Sequence, residues 1–221
     1  MKKFHLSFFL VLAVTAAGAQ EIVTASAFLE RLSDRYAGIK DYEANIAIRS
    51  GTTTMNGQIS YLNPFFMRID CTTPAEQVIV FNGQLLSVYL PGYRAVLNQE
   101  VAVMGASMAS AQGLVLFRRY YVPSYVSGPD PVPLDEGSGE MVIKLRLTRA
   151  SVLEGFREVI LSVDLQTMLI RRMEGRTIAE ALVRFDFSNI RTNVGIPEGR
   201  FIYDAPATAS MYNNFLFRDN D

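Results

Sequence analysis

The sequence is poor in the residues that most enzymes place at their centres. Its 221 residues include one histidine, His5, one cysteine, Cys71, and no tryptophan. His5 lies in a segment expected to be removed on export, which leaves residues 20–221 without any histidine. Ser–His and Cys–His nucleophile pairs are thereby excluded from that part of the chain, as are zinc sites of the usual His/Cys type. An acid–base mechanism would have to draw on carboxylates, Lys or Tyr. Asp135, Glu136 and Glu140 cluster, but among Pro and Gly in what reads as a solvated loop. No catalytic residue, metal site or cofactor is expected. A single Cys makes no internal disulfide, and Cys71 reads as a small buried apolar residue on the face of Met67 and Ile69. Basic runs are missing too, which argues against a nucleic-acid partner.

The N-terminus has the order of an export signal. Lys2 and Lys3 precede an uncharged apolar run from Leu6 to Val14, and Ala17-Gly18-Ala19 supplies a small-x-small cleavage pattern. The run is shorter than the ~20 apolar residues that a spanning helix needs. Cleavage is expected after Ala19, with no Cys there for lipid attachment. Residues 20–221 then form one domain in the periplasm. Losing two lysines and no acid takes the formal charge from −1 to −3.

Two periodicities follow. Over residues 25–39, Phe28, Leu32 and Tyr36 recur every four residues beside Leu29 and Ile39, which predicts an amphipathic helix capped by Thr24 or Ser26. From Tyr42 the period drops to two. Strands are expected at 42–50, 55–61, 65–71, 77–81, 85–90 and 93–97, with Asn82-Gly83 as a hairpin turn and Pro91-Gly92 as another. A second set is expected at 141–148, 156–165, 168–173 and 178–190. Polar and apolar faces alternate, as in a sheet curled round an apolar interior. Between the sets, residues 101–117 carry no charge and read as one or two short helices over that interior. A Pro-rich surface loop, with Pro123, Pro129, Pro131 and Pro133, joins the halves.

The segment 57–91 carries a more specific pattern. It contains Gly57-Gln58-Ile59, Asn63-Pro64-Phe65-Phe66-Met67-Arg68-Ile69, Pro74, Glu76-Gln77-Val78-Ile79-Val80, Asn82-Gly83 and Leu85 to Pro91. In this it resembles the LolA family of periplasmic carriers that bring lipoproteins to the bacterial outer membrane. Phe201-Ile202-Tyr203-Asp204-Ala205-Pro206 is similar to that family's closing motif, while the tail with Met211, Tyr212, Phe215, Leu216 and Phe217 has no clear counterpart in it.

The resemblance implies a mainly β fold with helices: an unclosed antiparallel barrel, lidded by helices, around acyl chains. It implies lipid contact at Ile59, Met67, Ile69, Val78 and Val80 in the strands and at Met104, Met108, Leu114, Leu116 and Phe117 in the lid. Well-known members have Arg before the motif proline. Asn63 stands there in this chain, so a hydrogen bond to the lid is possible and a charged latch is not. The implied partners are lipoprotein acyl chains or another lipid, a membrane donor complex and an outer-membrane acceptor, with the protein acting as a monomer. The alternatives are a glycolipid-binding or lipoprotein-sensing module of the same fold and, behind these, an envelope hydrolase.

Overall fold

The computed structural model describes residues 23–100, 109–150 and 156–215. The expected export signal, Met104, Met108, Leu216 and Phe217 lie outside these residues. The first helix, α1, spans Ala25–Ala37. Thr24 Oγ1 caps it by accepting from the Ala27 amide at 3.2 Å. Phe28, Leu29, Leu32 and Tyr36 are buried on one face, as their spacing predicts.

Strands β1 (Asp41–Ser50), β2 (Thr53–Leu62), β3 (Phe66–Thr73), β4 (Val78–Phe81), β5 (Leu85–Leu90) and β6 (Ala95–Glu100) follow. The second helix, α2, spans Ala111–Tyr120, with Ser110 Oγ accepting from the Gly113 amide at 3.1 Å as its cap. Then come β7 (Tyr121–Tyr125), β8 (Val132–Pro133), β9 (Met141–Arg149), β10 (Phe156–Asp164), β11 (Leu169–Thr177), β12 (Leu182–Thr192) and β13 (Ser210–Asn213). All belong to one sheet. Its order is β13-β6-β5-β4-β3-β2-β1-β12-β11-β10-β9-β7, with β8 paired to β9 off this path. The path ends at β13 and β7, so the sheet is unclosed. Among the described residues every pairing is antiparallel except β13 with β6.

The strand run expected at 178–190 starts later, because Thr177 and Ala181 close a turn on each other. The Pro-rich link also differs from expectation. It contains two strands, and Pro123 sits in β7 at the sheet's edge, where a missing N–H costs no ladder bond.

One face of the sheet is concave and holds the core. Phe28, Leu29, Leu32 and Tyr36 of α1 and Leu114 and Phe117 of α2 form one cluster with Ile46, Ile59, Ile69, Leu145, Leu161 and Phe187 of the strands. Among the described residues the outer face is covered at two places. Leu134 of the Pro-rich segment is buried near Val142, which is 0% exposed. Residues 198–206 cross β3 to β5, with Phe201 buried to 1% exposure against Phe66 and Tyr203 against Tyr89.

Candidate functional site

Residues directly opposite one another on neighbouring strands share a face of the sheet. The register therefore assembles the concave surface row by row. One row runs Ala44, Ile59, Ile69, Ile79, Val88, Leu97 across β1 to β6. Its neighbour runs Tyr42, Tyr61, Met67, Phe81, Leu86, Gln99. Burial fades along the first row. Ala44, Ile59 and Ile69 are 2, 4 and 6% exposed, whereas Ile79, Val88 and Leu97 are only half-buried. The helices thus cover the β1–β3 part of the row, and its β4–β6 part stays partly open.

The structure brings Ile59, Met67 and Ile69 together on this face, with Leu114 and Phe117 of α2 in the same core. Leu116 is half-buried on α2, outside that cluster. Val78 and Val80 are corrected. They stand opposite Asp70 and Arg68 and so lie on the outer face, and Ile79 and Phe81 take the concave positions. The reason is local. Val78-Ile79-Val80-Phe81 is apolar throughout, so alternation within β4 does not reveal which side faces inward. The pairing with β3 decides it. Leu86, Val88 and Leu97 escape sequence reasoning for a related reason, since their side is visible only once β4, β5 and β6 are aligned.

Hydrogen bonds tie α2 to the sheet. Gln112 Nε2 donates to Asn63 Oδ1 at 3.2 Å, and Tyr61 donates to Gln112 Oε1 at 3.0 Å. Tyr42 donates to the Ala109 carbonyl at 3.2 Å. Burial pushes the Tyr61 hydroxyl up to about 12, against a hydrogen bond with Ser110, so it stays a proton donor at every ordinary pH. Burial also pushes up the Cys71 thiol, with the Asp70 charge adding to it, which leaves the thiol protonated and unreactive.

Several charged groups are paired across the outer face. Asp135 lies in an exposed loop, as its neighbours in sequence suggest, with its side chain 57% exposed. Its carboxylate pairs with Arg172, whose Nη1 lies 2.8 Å away and whose side chain is 8% exposed. Glu140 pairs with Arg171 at 2.9 Å. Arg68 points away from Met67 and Ile69. It pairs with Asp70 at 2.8 Å and donates to the Arg200 carbonyl at 3.2 Å, beneath the C-terminal segment. Among the described residues no group of His, Cys, Asp and Glu is placed to hold a metal ion.

Two spaces among the described residues bear on the site. A gap of about 10 Å³ remains between Tyr36, Tyr42, Ile170 and Phe187. A groove of about 560 Å³ lies on the outer face, bounded by Val80, Leu85 and Ser87 below and Glu198, Phe201 and Tyr203 above.

No protein-family model and no curated protein matches the sequence. Solved structures match in fold. An uncharacterized conserved protein from Thermus thermophilus has a TM-score of 0.55 at 13% identity, over 83% of this chain and 98% of that one. A chain of the MucA/MucB complex of Pseudomonas aeruginosa has a TM-score of 0.51 at 17% identity, over 82% of this chain and 61% of that one. A LolA superfamily protein from Nitrosomonas europaea has a TM-score of 0.42 at 15% identity, over 82% of this chain and 98% of that one. At such identities the likeness is one of fold. The chain shares the fold of the first two: mainly β, with an unclosed, largely antiparallel sheet curled round two helices.

Proposed function

We propose that this protein is an exported periplasmic carrier. It holds the acyl chains of lipoproteins, or another lipid, against the concave sheet and delivers them toward the outer membrane. One observation carries the reading: an apolar row that is sealed by helices at β1–β3 and half-open at β4–β6. Each buried CH2 stabilises by ~0.8 kcal/mol, so acyl chains need no charged partner there. Ile59, Met67 and Ile69 form the inner part of the site and Ile79, Val88 and Leu97 its open part. Leu114, Leu116 and Phe117 form the lid, which Gln112 and Asn63 help to hold. Met side chains adapt to tails of different shape.

The carrier works as a monomer without a cofactor. A membrane complex donates its cargo, and an outer-membrane protein accepts it. The reading is a non-catalytic one, supported by the commitment of Asp135 and Glu140 to arginine pairs.

Displacement of a fluorescent fatty-acyl probe tests it. Ile79→Glu should weaken binding by about tenfold or more, because it places a charge on the apolar row, while Val78→Glu on the outer face should leave binding near the parent value. Equal effects, or the reverse order, would overturn the reading. Mass spectrometry of the purified protein should find acyl chains. A lipid-bound protein that hands nothing to an acceptor and instead holds a membrane protein in a stable complex would be a sensing module.

A further inference from the structure

The C-terminal segment is unequally attached. Its first part is fixed: Phe201 is 1% exposed, and Arg200 reaches Asp70. Its last part, β13, is held mainly by backbone pairing. Ser210, Met211, Tyr212 and Asn213 are all exposed, with Met211 at 63% and Tyr212 at 55%. This strand lies parallel to β6 and covers four of its six residues. The ladder is anchored by the Ser210 amide on the Arg94 carbonyl and the Asn214 amide on the Asn98 carbonyl, both at 2.8 Å. One side-chain tie is added, from Asn98 Nδ2 to Asn213 Oδ1 at 3.2 Å. A short, exposed, parallel edge strand buries little apolar surface and opens before the rest of a sheet.

The edge beneath it is well built for an extended chain. Asn98 is 6% exposed and is oriented by Ser87, whose hydroxyl donates to Asn98 Oδ1 at 2.8 Å. The register puts Tyr212 beside Leu97, at the end of the concave apolar row, and Met211 and Asn213 beside Val96 and Asn98 on the outer face. An occupant of this edge therefore meets an apolar position on one side and a buried carboxamide on the other.

We propose that the β6 edge is a strand-addition site for an extended segment of another polypeptide, kept filled in the free protein by the chain's own β13. The fitting segment carries an aromatic or aliphatic residue at the Tyr212 position and an amide or hydroxyl residue next to it. Main-chain bonds supply the affinity and the two side-chain positions supply the selection. The proposal stands apart from acyl binding, since it uses the edge of the sheet and not its concave surface.

The probe is a fluorescein-labelled peptide of residues 209–215, read by anisotropy against the full protein. Asn214→Pro releases β13. It removes the amide that reaches Asn98, and the φ of +53° at this position is closed to proline. The peptide should bind this variant about tenfold more tightly than the parent, and the same peptide N-methylated at Tyr212 should bind neither. Should Asn214→Pro fail to fold, Asn213→Ala removes only the tie to Asn98 and should tighten binding by about threefold. Equal binding to parent and variants, or undiminished binding of the methylated peptide, would overturn the proposal. So would a dimer formed by exchange of β13, which would assign the edge to a second copy.

Discussion

Gln112 of α2 and Asn63, just before Pro64, share a hydrogen bond of 3.2 Å, and the Tyr61 hydroxyl closes the group at 3.0 Å from Gln112. This neutral tie joins the helix to the turn between β2 and β3.

A lid held by such a tie loosens when it is cut. Gln112→Ala should cost about 1 kcal/mol of stability in urea unfolding, and it should speed acyl-probe entry in stopped flow. Lost stability with unchanged entry would make α2 a fixed part of the core.

Arg68 separates anchoring from cargo binding. Burial would raise the Asp70 carboxyl, but hydrogen bonds and charges from Arg68 and Arg200 outweigh it and hold that carboxyl below its usual range. Arg68→Ala leaves Asp70 half-buried with Arg200 alone and frees two carbonyls of the C-terminal segment. The variant should lose about 2 kcal/mol of stability and keep its affinity for the acyl probe. Leu116→Glu should show the opposite pattern, with binding lost and stability little changed. Loss of binding in Arg68→Ala alone would point to polar recognition.

Asp135 gives the Pro-rich segment a pH dependence. Hydrogen bonds from Arg172, with the charges of Arg172, Arg184 and Lys144, outweigh burial and hold its carboxyl at about 2. The unfolded chain takes up this proton near the ordinary value of roughly 4. The contribution is therefore complete above about pH 5 and is lost as the pH falls toward 2. Asp135→Asn should lower the urea midpoint at pH 7 and converge with the parent near pH 2. A difference that stays constant over that range would mean that the charge plays no part.

Gly57 sits where two strands approach closely. A Cβ there would lie 2.3 Å from the Asp70 carbonyl oxygen and 2.9 Å from the Cys71 Cα, both backbone atoms. Gly57→Ala should cost about 2 kcal/mol or more, because the β2–β3 pair must separate to admit it. Thermal melting checks this, and a neutral result would mean that the bulge between Asn56 and Gly57 absorbs the methyl group.

By itself the sequence determined α1 and most of the strands, though not β7, β8 or β13. Four-residue spacing from Phe28 to Tyr36 made α1, two-residue alternation made the strands, and Asn82-Gly83 made the β4–β5 turn, because each is set by contacts within a few residues. Which faces meet was decided only by the tertiary structure. Val78-Ile79-Val80-Phe81 has no polar member to mark its outer side, and pairing with β3 turned Ile79 inward and the two valines out. Asp135 and Glu140 read as loop residues, but their partners, Arg172 and Arg171, come from a distant strand and show only in the structure. The tail became a strand because the β6 edge needed a partner for its backbone groups. Long-range pairing carries no local periodicity, so these relationships arise only when strands far apart in the chain lie side by side.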